Sequence, residues 1–156
     1  MNYWLVGAKW GGSEEALDIF LKRGYWYCWD IAEDDFPTES FKGGNSIARQ
    51  LSSFKDIEKN DRIAVKRLCG QGSAEMRILA IGVVKDVCFE EHRIYINWIA
   101  VSSEVVNDPQ FNDIELPTIH FEERRVELGG CVSSIHGPYS LHSEYDKDWL
   151  QKIFYI

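Results

Sequence analysis

Residues 77–101 read RILAIGVVKDVCFEEHRIYINWIAV. Two runs rich in β-branched and aromatic residues, 77–88 and 93–101, are separated by the polar Glu90-Glu91-His92. Such runs predict two strands. Upstream, RIAVKRL over 62–68 lies between a Lys59-Asn60-Asp61 turn and a Gly70-Gln71-Gly72-Ser73 turn, and predicts a third. NYWLVGAK at 2–9 and YWYCWDI at 25–31 have the same composition and predict two more. In the latter, alternation sets Tyr25, Tyr27 and Trp29 on one face and Trp26, Cys28 and Asp30 on the other.

Helical patterns are few and short. Ser13 can cap a helix over 14–23, with Glu14 and Glu15 in its first turn and Gly24 as its stop. Asn45 or Ser46 can cap a second over 46–54, whose apolar face is Ile47, Leu51 and Phe54. Residues 146–154 predict a closing helix, with Trp149, Leu150, Ile153 and Phe154 turned inward. Asp108-Pro109 and Leu116-Pro117 break 102–118, a weak strand follows over 118–128, and Gly129-Gly130 through Ser140 read as a loop. Strands without regular crossover helices exclude a doubly wound sheet. They predict an α+β fold: a mixed β-barrel of about five to seven strands with short helices plugging its ends. No linker or repeat divides the chain, so one domain over 1–156 is expected.

The chain has 156 residues, 45% of them apolar, enough for a real core. No apolar run reaches the length of a membrane span, and the N-terminus lacks a signal-peptide pattern, so a cytoplasmic location is expected. Cys28, Cys69, Cys88 and Cys131 are widely spaced and read as buried thiols. His92, His120, His136 and His142 also lack close ligand spacing, so neither metal nor cofactor is expected. The net charge of −8 argues against a protein held on DNA by bulk electrostatics. The charge is uneven: −5 over 1–40, +4 over 41–79 and −7 over 80–156. The middle segment is the surface best suited to a polyanion.

NYWLVGAKWGG, then a helix, then GYWYCWD resembles the start of the EVE domain, a member of the PUA-like superfamily that also includes ASCH and YTH domains. KNDRIAVK after the second helix is similar to the family's Gly-Asp lead-in to a central strand, with Asn60 standing where Gly is frequent. ILAIGVVKDV and YINWIAV resemble its paired barrel strands. The likeness covers roughly residues 2–101. It implies a pseudobarrel with a deep pocket near the first strands. Its implied activity is binding of nucleic acid, DNA or RNA, with one modified base flipped into an aromatic cage. Domains of this kind commonly sit beside restriction nucleases or AAA-type motor domains. No Walker A, H-N-H or PD-(D/E)xK-type pattern occurs here, so in a modification-dependent restriction or defence system cleavage would belong to another domain or chain.

A flipped base needs aromatics for its faces and donors and acceptors for its edge. Trp10, just past a strand and beside Gly11 and Gly12, either faces such a cavity or packs in the core. Trp26 and Trp29 lie on opposite strand faces, so only one of them lines the pocket. Trp4, Trp98 and Trp149 are assigned to the core. Asp30 can accept from a base amino group or serve as a turn residue. Gly43 and Gly44 can offer backbone donors, as can Gly11 and Gly12, and Asn45 and Ser46 can reach a base edge or only cap a helix. Lys42, Arg49, Lys55, Lys66 and Arg67 are the candidate phosphate contacts. His136-Gly137-Pro138-Tyr139 reads as a turn that can cover the pocket mouth. Two other functions remain open: an ASCH-like hydrolase of modified nucleosides, using Lys66 with Asp30 or Glu75, and a protein-interaction module.

Overall fold

The computed structural model describes residues 1–10, 14–27, 44–70, 73–127 and 135–155, with the backbone alone for Trp10, Glu14 and 44–49. β1 (Tyr3–Gly7) is the second strand from one edge of a curled, half-barrel sheet. It pairs in parallel with β5 (Arg62–Leu68) and antiparallel with β10 (Ile135–Tyr139). β5 pairs with β6 (Glu75–Cys88), β6 with β7 (Arg93–Ser102), and β7 with β4 (Tyr25–Tyr27), all antiparallel. Two short strands complete it among the described residues: β8 (Ile119–Phe121) on β7 and β9 (Arg124–Glu127) on β6. β2 (Lys9–Trp10) and β3 (Glu14–Glu15) form a separate pair.

The sheet has apolar residues on both faces. Trp4, Val6, Ile63, Val65, Ile94 and Ile96 join one cluster; Leu5, Ala64, Met76, Ile78 and Ala100, at alternating positions, join the other. α1 (Leu17–Arg23) and α2 (Gly44–Asp56) cover the first face with Phe20 and Phe54, and the four-residue α3 (Ser103–Val106) adds Val105. α4 (Glu144–Phe154) covers the second with Ile153. β6 bends because its register with β7 shifts at Gly82. A Cβ on Gly82 would sit 2.4 Å from Ile96 Cγ2 and 2.9 Å from the Asn97 carbonyl oxygen, so the close approach requires glycine.

The structure is α+β, with a mixed sheet and a few short helices as expected. Three local expectations are corrected. The first helix starts at Leu17, because Glu14 and Glu15 pair as a strand with Trp10 and Lys9, and the Ala16 N–H donates to the Ala8 carbonyl. The segment read as a loop before Ser140 contains β10, a strand of the main sheet; Gly137 and Pro138 hide its strand pattern. The irregular 102–118 segment holds α3 and a 3-10 turn over Pro109–Phe111. Trp149 is half-buried, its indole N–H donating to the Glu127 carbonyl at 3.2 Å. Cys69 and Cys88 are half-buried free thiols. Among the described residues, no helix is long and apolar enough to cross a membrane.

Candidate functional site

The C-terminal ends of β1 and β5 bring an unusual side chain into the fold. Lys66 is paired in register with Gly7 of β1 and Ile78 of β6, and only 6% of it is exposed. Its neighbours Ala64 and Ile78 belong to the second cluster, so the lysine extends over that apolar face. Lysine is rarely buried to this degree, because its ammonium carries a large desolvation cost.

β10 supplies the facing group. His136 lies opposite Leu5, on the same face as Lys66. Burial first, and the Lys66 charge second, push the His136 imidazole down to about 4. At neutral pH the His136 ring is therefore uncharged, and an uncharged imidazole can accept as well as donate. Gln50 of α2 anchors the start of β10: its side-chain oxygen accepts from the Ile135 N–H at 3.2 Å. Half-buried Tyr139 and Trp149, with ring centroids 5.0 Å apart, pack against the same apolar face.

The expected site residues distribute as follows. Trp26 is 1% exposed on the first face, where it packs near Phe20 and donates its indole N–H to the Gly7 carbonyl at 2.7 Å. It packs in the core cluster of the first face, on the other side of the sheet from Lys66. Arg67 points the other way from Lys66, as alternation requires, and its Nη2 contacts both carboxylate oxygens of Glu15 at 2.5 and 2.6 Å. Its charge is thus neutralised within the fold. Lys55 is exposed and lies 4.7 Å over the Phe89 ring. Gly44 opens α2. Gly11, Gly12, Trp29, Asp30, Lys42 and Gly43 lie outside the described residues, as do the side chains of Trp10, Asn45, Ser46 and Arg49.

Glu75 does not join Lys66. Met76, beside it, is fully buried on the second face, whereas Glu75 is exposed on the opposite one. Among the described residues no group of three or more His, Cys, Asp or Glu side chains is placed to hold a metal ion.

The sequence places His136 in a turn at the pocket mouth, where the structure has a strand, and carries no signal that singles out Gln50 or Glu15. The usable signal was the basic charge of 41–79; the burial of one lysine within it depends on the sheet and has no local pattern. No family model matches the chain, and no curated relative matches it either.

Proposed function

We propose that the chain is a non-catalytic nucleic-acid-binding module that holds one modified base in a pocket beside Lys66 and His136. The observation that carries this reading is a buried lysine and an uncharged imidazole on one apolar face of the sheet. Low polarity strengthens the field of Lys66 toward a base oxygen or a phosphate. An uncharged His136 ring carries one donor and one acceptor nitrogen, the kind of group that reads a base edge. β1 leads from this site through Ala8 and Lys9 to Trp10, Gly11 and Gly12, the segment whose sequence resembles the EVE domain. In the proposal, Trp10 and Trp29 stack on the base, and Asp30, Asn45 and Ser46 read its edge. Gly11, Gly12, Gly43 and Gly44 add backbone donors, and Lys42, Arg49 and Lys55 steady the strand.

The finer architecture is part of the same proposal: the curled sheet closes as a PUA-like barrel, with helices at its ends. The module would act in the cytoplasm, alongside an effector nuclease or AAA-type protein that supplies cleavage. The hydrolase reading loses its Glu75 form, because Lys66 and Glu75 occupy opposite faces; its other carboxylate, Asp30, lies outside the described residues.

The test is a titration of oligonucleotides, DNA and RNA, that carry or lack a single methylated or hydroxymethylated base, followed by fluorescence anisotropy. Lys66→Met should weaken binding about tenfold or more, the loss expected for one charge-assisted contact. Equal binding by folded wild type and folded Lys66→Met overturns the assignment.

A further inference from the structure

A cleft of about 730 Å³ opens between α1 and the β4–β7 edge. It falls within the size range of small-ligand sites. Tyr25 and Tyr95 sit directly opposite each other across β4 and β7, with ring centroids 6.4 Å apart and planes 29° apart. Tyr27 and Arg93 form the next cross-strand pair on that face, and the Arg93 guanidinium lies 5.0 and 5.1 Å over the Tyr25 and Tyr27 rings. Glu91 fixes the edge of this tile: it accepts from the Tyr95 hydroxyl at 3.1 Å and pairs with Arg93 at 3.9 Å. The cleft thus has flat, polarisable surfaces against which an aromatic heterocycle can pack.

Its charges specify more. Lys22 and Arg23, exposed on the last turn of α1, line it together with Arg93. Asp18 and Asp113 line it too, and Glu91 already pairs with Arg93, so the positive charge offered to an anion is that of Lys22 and Arg23 at the end of α1. Asp18 Oδ1 and Arg93 Nε are buried and have no hydrogen-bond partner among the described residues, so one acceptor and one donor go unused there. A matching ligand has a flat ring, an edge that donates to a carboxylate and accepts from a guanidinium, and an anionic group. Guanine presents adjacent N1–H and N2–H donors, and its O6 and N7 suit arginine. The net charge of −8 opposes a long polyanion but opposes a single phosphate much less.

We propose that this cleft binds a guanosine 5′-phosphate: the base packs on Tyr95 and Arg93, its donor edge meets Asp18, and the phosphate meets Lys22 and Arg23. The site uses none of the residues of the base-reading proposal and stands independently of it.

Calorimetric titration of the full chain with GMP, guanosine and IMP tests the assignment. GMP should saturate the protein. Guanosine, without the phosphate, and IMP, without the 2-amino group, should each bind about tenfold more weakly. The double variant Lys22→Ala/Arg23→Ala alters only exposed side chains and should keep the wild-type melting temperature while erasing the difference between GMP and guanosine. Asp18→Asn should erase the difference between GMP and IMP. Lys66→Met should leave GMP binding unchanged, which separates this site from the other. No saturation at millimolar GMP, or GMP binding that both sets of variants leave intact, overturns the proposal.

Discussion

The indole N–H of Trp4 donates to the buried carboxylate of Asp61 at 2.9 Å, joining β1 to the turn that starts β5. The same carboxylate accepts from the backbone N–H groups of Asn2 and Glu58, each at 3.0 Å. Asn60, at φ 76°, makes the turn that aims it. Asp61→Ala leaves three donors without this acceptor. Only the Trp4 donor is fully buried, the other two being part-buried, so the substitution should cost about 2 kcal/mol in urea unfolding, since an unsatisfied buried group costs about 1–3 kcal/mol. Trp4→Phe removes only one donor and should cost less. A loss below about 1 kcal/mol for Asp61→Ala would contradict the keystone role.

Gly82→Ala places a methyl group against Ile96 and the Asn97 carbonyl, at the bend of the longest strand. Backbone cannot yield as a side-chain tip can, so overpacking of about 1–3 kcal/mol is expected. A thermal melt should show a lowered midpoint. An unchanged midpoint would show that β6 and β7 can part there freely.

His136 makes stability depend on pH. Its folded-state pKa is depressed from 6.5 to about 4, so the unfolded chain binds more protons between these values. Stability therefore rises as pH increases from about 4 to 6.5 and is insensitive to this group above that window. Because the ring is only half-buried, the slope should be modest. His136→Asn should flatten that part of the profile, measured by denaturation at a series of pH values. A variant with the wild-type slope would assign the pH dependence elsewhere.

Arg67 and Glu15 connect β5 to the strand before α1, with side chains 16% and 19% exposed. Glu15 also accepts from the Leu17 N–H at 3.1 Å, where α1 begins. A double-mutant cycle with Arg67→Met and Glu15→Gln should give a coupling of about 1 kcal/mol that weakens with salt. Zero coupling would return Arg67 to the pool of free surface cations.

The sheet's central strands were legible because β5, β6 and β7 are rich in β-branched and aromatic residues, with clear turns between them. Gly24 marked the end of α1 for a local reason, its left-handed φ of 71°. β3 and β10 were not legible. Glu14 and Glu15 have helix-like composition, and only pairing with Lys9 and Trp10 makes them a strand. Ile135–Tyr139 carries glycine and proline, and becomes a strand because the β1 edge is there to receive it. The same limit applied to the site. Composition placed cations in the middle segment, but whether a lysine is buried beside a histidine, as Lys66 is, or neutralised by a glutamate, as Arg67 is, depends on residues 50 or more positions away.

The base-reading account meets its most direct test in one comparison: binding of two oligonucleotides that differ by a single modified base, by wild type and by Trp10→Ala. The account predicts a clear preference for the modified strand and a loss of about 1–3 kcal/mol on removing the indole. Folded wild-type protein that binds both strands equally, or a folded variant that retains the full preference, would contradict it.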